Sequence, residues 1–408
     1  MQRVEQATNG IETSWFQALG FHFDPFLYLE ASTDPHLIDY MVGHDVFAAA
    51  WDAAPSLIYA PPGGGKTAMR LYTERACWSS FGPRHPFPIL HQPALGDMEG
   101  AGLALEQHCL RLVQAAARSM LLGLCVQPER LLDCTVGDRR RVGAILAALP
   151  RPAAFYARIL RSKGDVRSLT PYLGRAAWFG AGGNLSTDKL ETFCATLTAL
   201  DQERAELSGD GCERLAYVKD TLVDVLGYRA VFLLVDGVDG LSESAQTPAA
   251  GGAWLDALLT VAETWSEHKL FVKGFLPSDY ADLLAGVHGS QLRLFAQTTI
   301  RWTPELLAEL LRRRVAVASG GAFGSLDAIS SPALRDVETL IGRRVPPLPR
   351  EAIVFVRALL QRAVQDADGA IVTLEPEHLD ATTAWYQVES SRLGIDLIAP
   401  VTVSPAQE

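Results

Sequence analysis

The stretch from Ser56 to Cys77, SLIYAPPGGGKTAMRLYTERAC, places an apolar run, a proline and glycine cluster, a Lys-Thr pair and a run of good helix formers in direct succession. Few folds accommodate that order: the strand must be buried, the turn tight, and the helix must begin where the turn ends. Glycines remove the side chains that would stop backbone N–H groups from curling around an anion. The positive N-terminal end of the following helix adds to the attraction. Ala60, Gly65, Lys66 and Thr67 occupy the fixed positions of the phosphate-loop spacing Gly-x4-Gly-Lys-Ser/Thr, with alanine in place of the first glycine. This assigns Pro62, Gly63, Gly64, Gly65, Lys66, Thr67 and Ala68 to nucleotide binding. Lys66 is expected at the β and γ phosphates and the Thr67 hydroxyl at Mg²⁺.

Four further apolar, β-rich runs follow: PFPILH (86–91), AVFLLVD (230–236), KLFVKGFL (269–276) and TTIRW (298–302). They are apolar on both faces and mostly separated by helical patterns, which suits a parallel sheet covered by helices. Residues 97 to 220 repeat leucine, alanine and cysteine at three- and four-residue steps and read as a helical insertion. After residue 303, Thr303-Pro304, Ser331-Pro332 and Leu348-Pro349 each look like the start of a helix. The expected organisation is an α/β, three-layer core over residues 55–302, preceded by a lead-in segment over 1–54. A helical lid and C-terminal tail over 303–408 complete it.

AVFLLVDGVDGL ends a buried run on Asp236, the form of a strand whose carboxylate orders the Mg²⁺ shell, with Asp239 three residues on as a candidate base for the attacking water. The formal charge of −11 argues against a general nucleic-acid or anionic-membrane binder. Six cysteines without a CxxC pair or histidines at zinc spacing indicate neither a metal knuckle nor a disulfide framework. The polar start MQRVEQATNG, with no apolar signal core behind it, leads to the expectation of a cytoplasmic protein with no membrane anchor.

APPGGGKT and LLVDGVDG together resemble the ASCE division of P-loop NTPases, near the AAA+ and STAND ATPases. The resemblance implies Mg-ATP as ligand, hydrolysis to ADP and phosphate, and coupling of nucleotide state to homo-oligomerisation or to a partner protein. It makes Lys273 a γ-phosphate sensor, Arg350 in PPLPREAIVF a lid arginine reaching the nucleotide, and one of Arg312, Arg313 and Arg314, with Arg314 the choice, a finger completing a neighbour's site. GFHFDPF is similar to the segment that packs on adenine, which makes Phe26, with Phe23 and Pro25, the base contact. Where the family carries a glutamate base, this chain has Gly237 and Gly240, so turnover is expected to be slow and Asp239 to act alone. The alternatives are a non-hydrolysing switch or scaffold, and a DNA-associated loader using basic surfaces such as Arg139 to Arg141.

Overall fold

A computed structural model of the chain describes residues 15–79, 85–94, 97, 102–174, 187–202, 206–239, 248–368 and 371–392. The chain divides into two compact units, one of residues 44–61 and 66–300 and one of residues 1–43, 62–65 and 301–408.

The first unit is built on a five-stranded, all-parallel sheet of β1 (Ser56–Ala60), β2 (Pro86–His91), β3 (Ala230–Val235), β4 (Leu270–Pro277) and β5 (Ala296–Thr299), in the order β2-β3-β4-β1-β5. Every residue of β1, β3 and β4 is buried, the signature of strands covered on both faces. Phe87, Ile89, Val231, Leu233 and Val272 join a core with the helices α2 (Leu105–Val126) and α7 (Pro248–Glu267). The alternating residue Phe232 instead meets Trp51, whose neighbour Phe47 packs on Tyr72 of α1 (Lys66–Ser79). Helix α8 (Tyr280–His288) links β4 to β5.

The connection from β1 runs toward β2 on one side, and that from β4 runs past β1 to β5 on the other. Right-handed crossovers send these neighbouring connections to opposite faces. Their divergence opens a crevice at the C-terminal ends of β1 and β4, where open α/β sheets take their ligands.

Between β2 and β3 lies the helical insertion: α2, α3 (Val136–Leu146), α4 (Ala153–Lys163), α5 (Thr187–Gln202) and α6 (Gly211–Asp220). Among the described residues α2 is the one helix long and apolar enough to cross a membrane, and 67% of its apolar window is buried inside the protein. It is a core helix of this unit, carrying Leu112, Ala116 and Met120 into the main apolar cluster.

The second unit is helical, with α9 (Pro304–Ala318), α10 (Val337–Arg344), α11 (Pro349–Ala367) and α12 (Pro376–Arg392) around a core of Phe26, Leu311, Val315, Phe355 and Val356. Thr303 caps α9 by accepting the Leu306 N–H, with Pro304 in the first turn, and α11 opens on Pro349. The helix expected at Ser331-Pro332 begins instead at Val337. Asp327 supplies its cap from a distance, accepting the N–H groups of Asp336 and Val337 at 3.0 Å each.

Candidate functional site

Gly63 and Gly65 adopt φ of +76° and +96°, backbone that other residues rarely take, which is why glycine stands at these two places. A Cβ on Gly63 would lie 2.9 Å from the Cβ of Arg350, so the loop backbone and that arginine are packed against each other. The Trp302 indole N–H donates to the Gly64 carbonyl at 2.9 Å. Because C=O and N–H of a trans peptide point in opposite directions, this bond turns the Gly65 N–H away from the indole and fixes one donor of the loop.

Lys66 opens α1 and is 6% exposed. Its Nζ donates to the carbonyls of Ala60 at 3.2 Å and Pro61 at 3.4 Å and pairs with Asp239 Oδ2 at 3.0 Å. The Thr67 hydroxyl approaches Asp236 Oδ1 at 3.4 Å, longer than a good hydrogen bond between oxygens. Thus Lys66, Thr67, Asp236 and Asp239 come together where β1 and β3 end. Ala68 follows in the first turn of α1, and Pro62 sits in the turn that leaves β1.

Asp236 is 1% exposed, and a buried carboxylate needs a partner. Sequence reasoning missed that partner, Arg70. Its Nε donates to Asp236 Oδ2 at 3.2 Å and its terminal nitrogen to Glu74 Oε2 at 2.8 Å. The signal was present in the spacing, since Lys66, Arg70 and Glu74 recur at four-residue steps and share one face of α1. Gly237 has φ +77°, and a Cβ there would stand 3.2 Å from Gln92 Nε2. The backbone therefore disfavours a glutamate at this position. Gly240 lies outside the described residues.

Beside this group, at the end of β2, His91 Nε2 lies 2.8 Å from His108 Nδ1, and His108 Nε2 donates to the Trp254 carbonyl at 3.0 Å. That bond makes His108 Nδ1 the acceptor and His91 Nε2 the donor. Burial pushes His91 down to about 3 and His108 to about 4, so both rings are neutral near pH 7.

Three expected residues stand elsewhere. Lys273 pairs in register with Ser56, at the opposite end of β1 from the loop, about 13 Å away at the ~3.3 Å rise of a strand residue. Its fully buried Nζ donates to the carbonyls of Ala49, Asp52 and Ala54 at 3.0, 2.6 and 2.7 Å and lies 4.8 Å from the Phe232 ring centroid. It is a structural tie and not a phosphate sensor. Arg314 is buried in the helical unit, donating to the Pro25 carbonyl, pairing with Asp34 at 3.3 Å and covering the Tyr40 ring, so it cannot extend as a finger. Its neighbours also have partners: Arg312 binds Asp336, and Arg313 binds Glu309. Phe26 is fully buried in the helical core and has no face to offer a base, while Phe23 stacks on His36. Arg350 packs on Gly63, and among the described residues its buried Nε has no hydrogen-bond partner.

Within the sheet unit, Lys66 and Thr67 offer an anion a cation and a hydroxyl, and Asp236 adds a carboxylate oxygen for a metal's water shell. Comparison with known proteins returned no match, whether to family models, to curated proteins or to solved structures.

Proposed function

We propose that this protein binds Mg-ATP on the loop from Pro62 to Ala68 and hydrolyses it slowly to ADP and phosphate. The observation that carries the reading is the convergence of Lys66, Thr67, Asp236 and Asp239 at the C-terminal end of β1; in the sequence the positive-φ glycines, Gly63 and Gly65, lead directly into Lys66, as a phosphate loop requires. In this reading Lys66 leaves Asp239 for the β and γ phosphates. That exchange frees the Asp239 carboxylate to accept a proton from the attacking water. Mg²⁺, when bound, would be held by the Thr67 hydroxyl and, through water, by the Asp236 oxygen that Arg70 leaves open. It would neutralise charge on the phosphates.

A second reading, a nucleotide-dependent switch with negligible turnover, is favoured by Gly237, whose positive-φ backbone disfavours a glutamate base there. Arg314 plays no part in either reading. Titration calorimetry of the full chain with ATP, with and without Mg²⁺, tests the common part: Lys66→Ala is expected to weaken binding by at least about 100-fold, since it removes a charge-assisted contact to phosphate. Unchanged affinity in that variant would overturn the assignment, and phosphate release separates the two readings.

A further inference from the structure

Far along the chain from the glycine loop, α2 and α6 bring together four ligating groups that the sequence keeps about a hundred residues apart. Glu106 and Cys109 lie three residues apart on the first turns of α2, and Asp210 and Cys212 stand at the N-cap and second residue of α6. The sulfurs of Cys109 and Cys212 are 3.1 Å apart. The ligand atoms of Glu106, Asp210 and Cys212 all lie within 4.8 Å of one another. Cys109 is fully buried, while Glu106 and Asp210 reach solvent, so the group has a closed sulfur end and an open carboxylate end.

From this we infer a divalent zinc site made by Cys109, Cys212, Glu106 and Asp210. A tetrahedral zinc with bonds of about 2.3 Å to sulfur and 2.0–2.2 Å to oxygen needs ligand atoms roughly 3.4–3.8 Å apart. The sulfurs have to part by about 0.7 Å, the ligand atoms of Glu106, Asp210 and Cys212 to draw in by about one ångström, and Cys109, which stands outside that group of three, to follow Cys212 toward the ion. Both carboxylates are already oriented. Glu106 Oε1 accepts the Gly211 N–H at 2.6 Å, and Asp210 Oδ1 accepts the Glu213 N–H at 2.9 Å, which leaves each acid a second oxygen for the ion. Gly211 is what permits the approach: a Cβ there would stand 2.7 Å from the Glu106 carbonyl oxygen and 3.0 Å from Oε1.

Binding balances as an exchange: a zinc ion enters as the two thiols release two protons to solvent, leaving two thiolates and two carboxylates as its ligands.

The test uses the full chain, reduced and freed of metal by chelator, titrated with Co²⁺ as the spectroscopic probe and then with Zn²⁺ as competitor. One equivalent of Co²⁺ is expected, with a sulfur-to-cobalt charge-transfer band that Zn²⁺ erases and that strengthens as pH rises. Cys212→Ser should lose the band. Asp210→Ser, which keeps a capping hydroxyl, should weaken binding by more than the roughly 10- to 100-fold that loss of an outer-shell partner costs. Circular dichroism melts confirm that the variants are folded, and Cys109→Ser replaces Cys212→Ser if the latter is not. Asp236→Asn should bind Co²⁺ as wild type does, which keeps this site separate from the proposed nucleotide site. An undiminished band in a folded cysteine variant, or no uptake by the reduced wild type, would overturn the inference. So would mass spectrometry without reductant showing the loss of two hydrogens between these cysteines in protein that takes up no metal when reduced.

Discussion

Replacing Lys273 by methionine separates the structural role of this residue from the role expected of a phosphate sensor. The aliphatic stem is kept, so little volume is lost, but the carbonyls of Ala49, Asp52 and Ala54 lose a shared donor that is fully buried. An orphaned buried carbonyl costs about 1–3 kcal/mol. Ala49 and Ala54 are half-buried and Asp52 is exposed, so water can reach this edge and the lower end applies. The sum is about 3 kcal/mol, offset in part because the methionine no longer desolvates an ammonium, a cost that lowers Lys273 to about 7. A urea melt of the full chain at pH 7 should show the sheet unit unfolding about 1 M earlier, for a slope of roughly 2–3 kcal/mol/M. ATP affinity at low urea should be unchanged, because the ammonium lies at the far end of β1. The reasoning fails if Lys273→Met melts at the wild-type urea concentration while phosphate release falls.

Arg70→Met should destabilise the sheet unit by about 3–5 kcal/mol in a thermal or urea melt, because it leaves the Asp236 and Glu74 carboxylates buried without their cation. Adding Glu74→Gln should recover part of the loss, and no recovery would mean the cost lies in packing. The His91–His108 pair predicts acid sensitivity. Both folded pKa values lie below the unfolded value near 6.5, so the unfolded chain binds more protons between about pH 6.5 and 4 and stability falls as pH drops through that window. Each ring alone would cost about 2 kcal/mol at pH 5. His108→Gln should flatten the slope of melting temperature against pH, and an unchanged slope would show that other groups cause it.

The parallel sheet was legible because its buried strands are apolar at every position: SLIYA and PFPILH coincide with β1 and β2, and AVFLLVD overruns β3 by the single residue Asp236. The fifth strand was read two residues late, because β5 is a mostly exposed edge, Ala-Gln-Thr-Thr, whose residues carry no apolar signal. At the site, local motifs placed Lys66, Thr67, Asp236 and Asp239 together, since each follows a strand of known direction. What remained hidden depends on register or on distant chain. Lys273 was assigned by the kind of strand it occupies, and its place along that strand put it at the wrong end. The pairings of Arg314 with Asp34, and of Cys109 with Cys212, are tertiary and leave no periodic trace.

The four residues Pro62 to Gly65 associate with the helical unit, although the residues before and after them belong to the sheet unit. Trp302 and Arg350 make the contacts that hold them. A fragment ending at Ile300 would keep every letter of the glycine-rich motif, yet it would lack the indole that fixes the peptide between Gly64 and Gly65. The smallest piece of this chain with a shaped loop is therefore larger than the smallest piece with the right sequence. Occupancy of the loop would also be felt as slower amide exchange near the starts of α9 and α11, which follow Trp302 and carry Arg350.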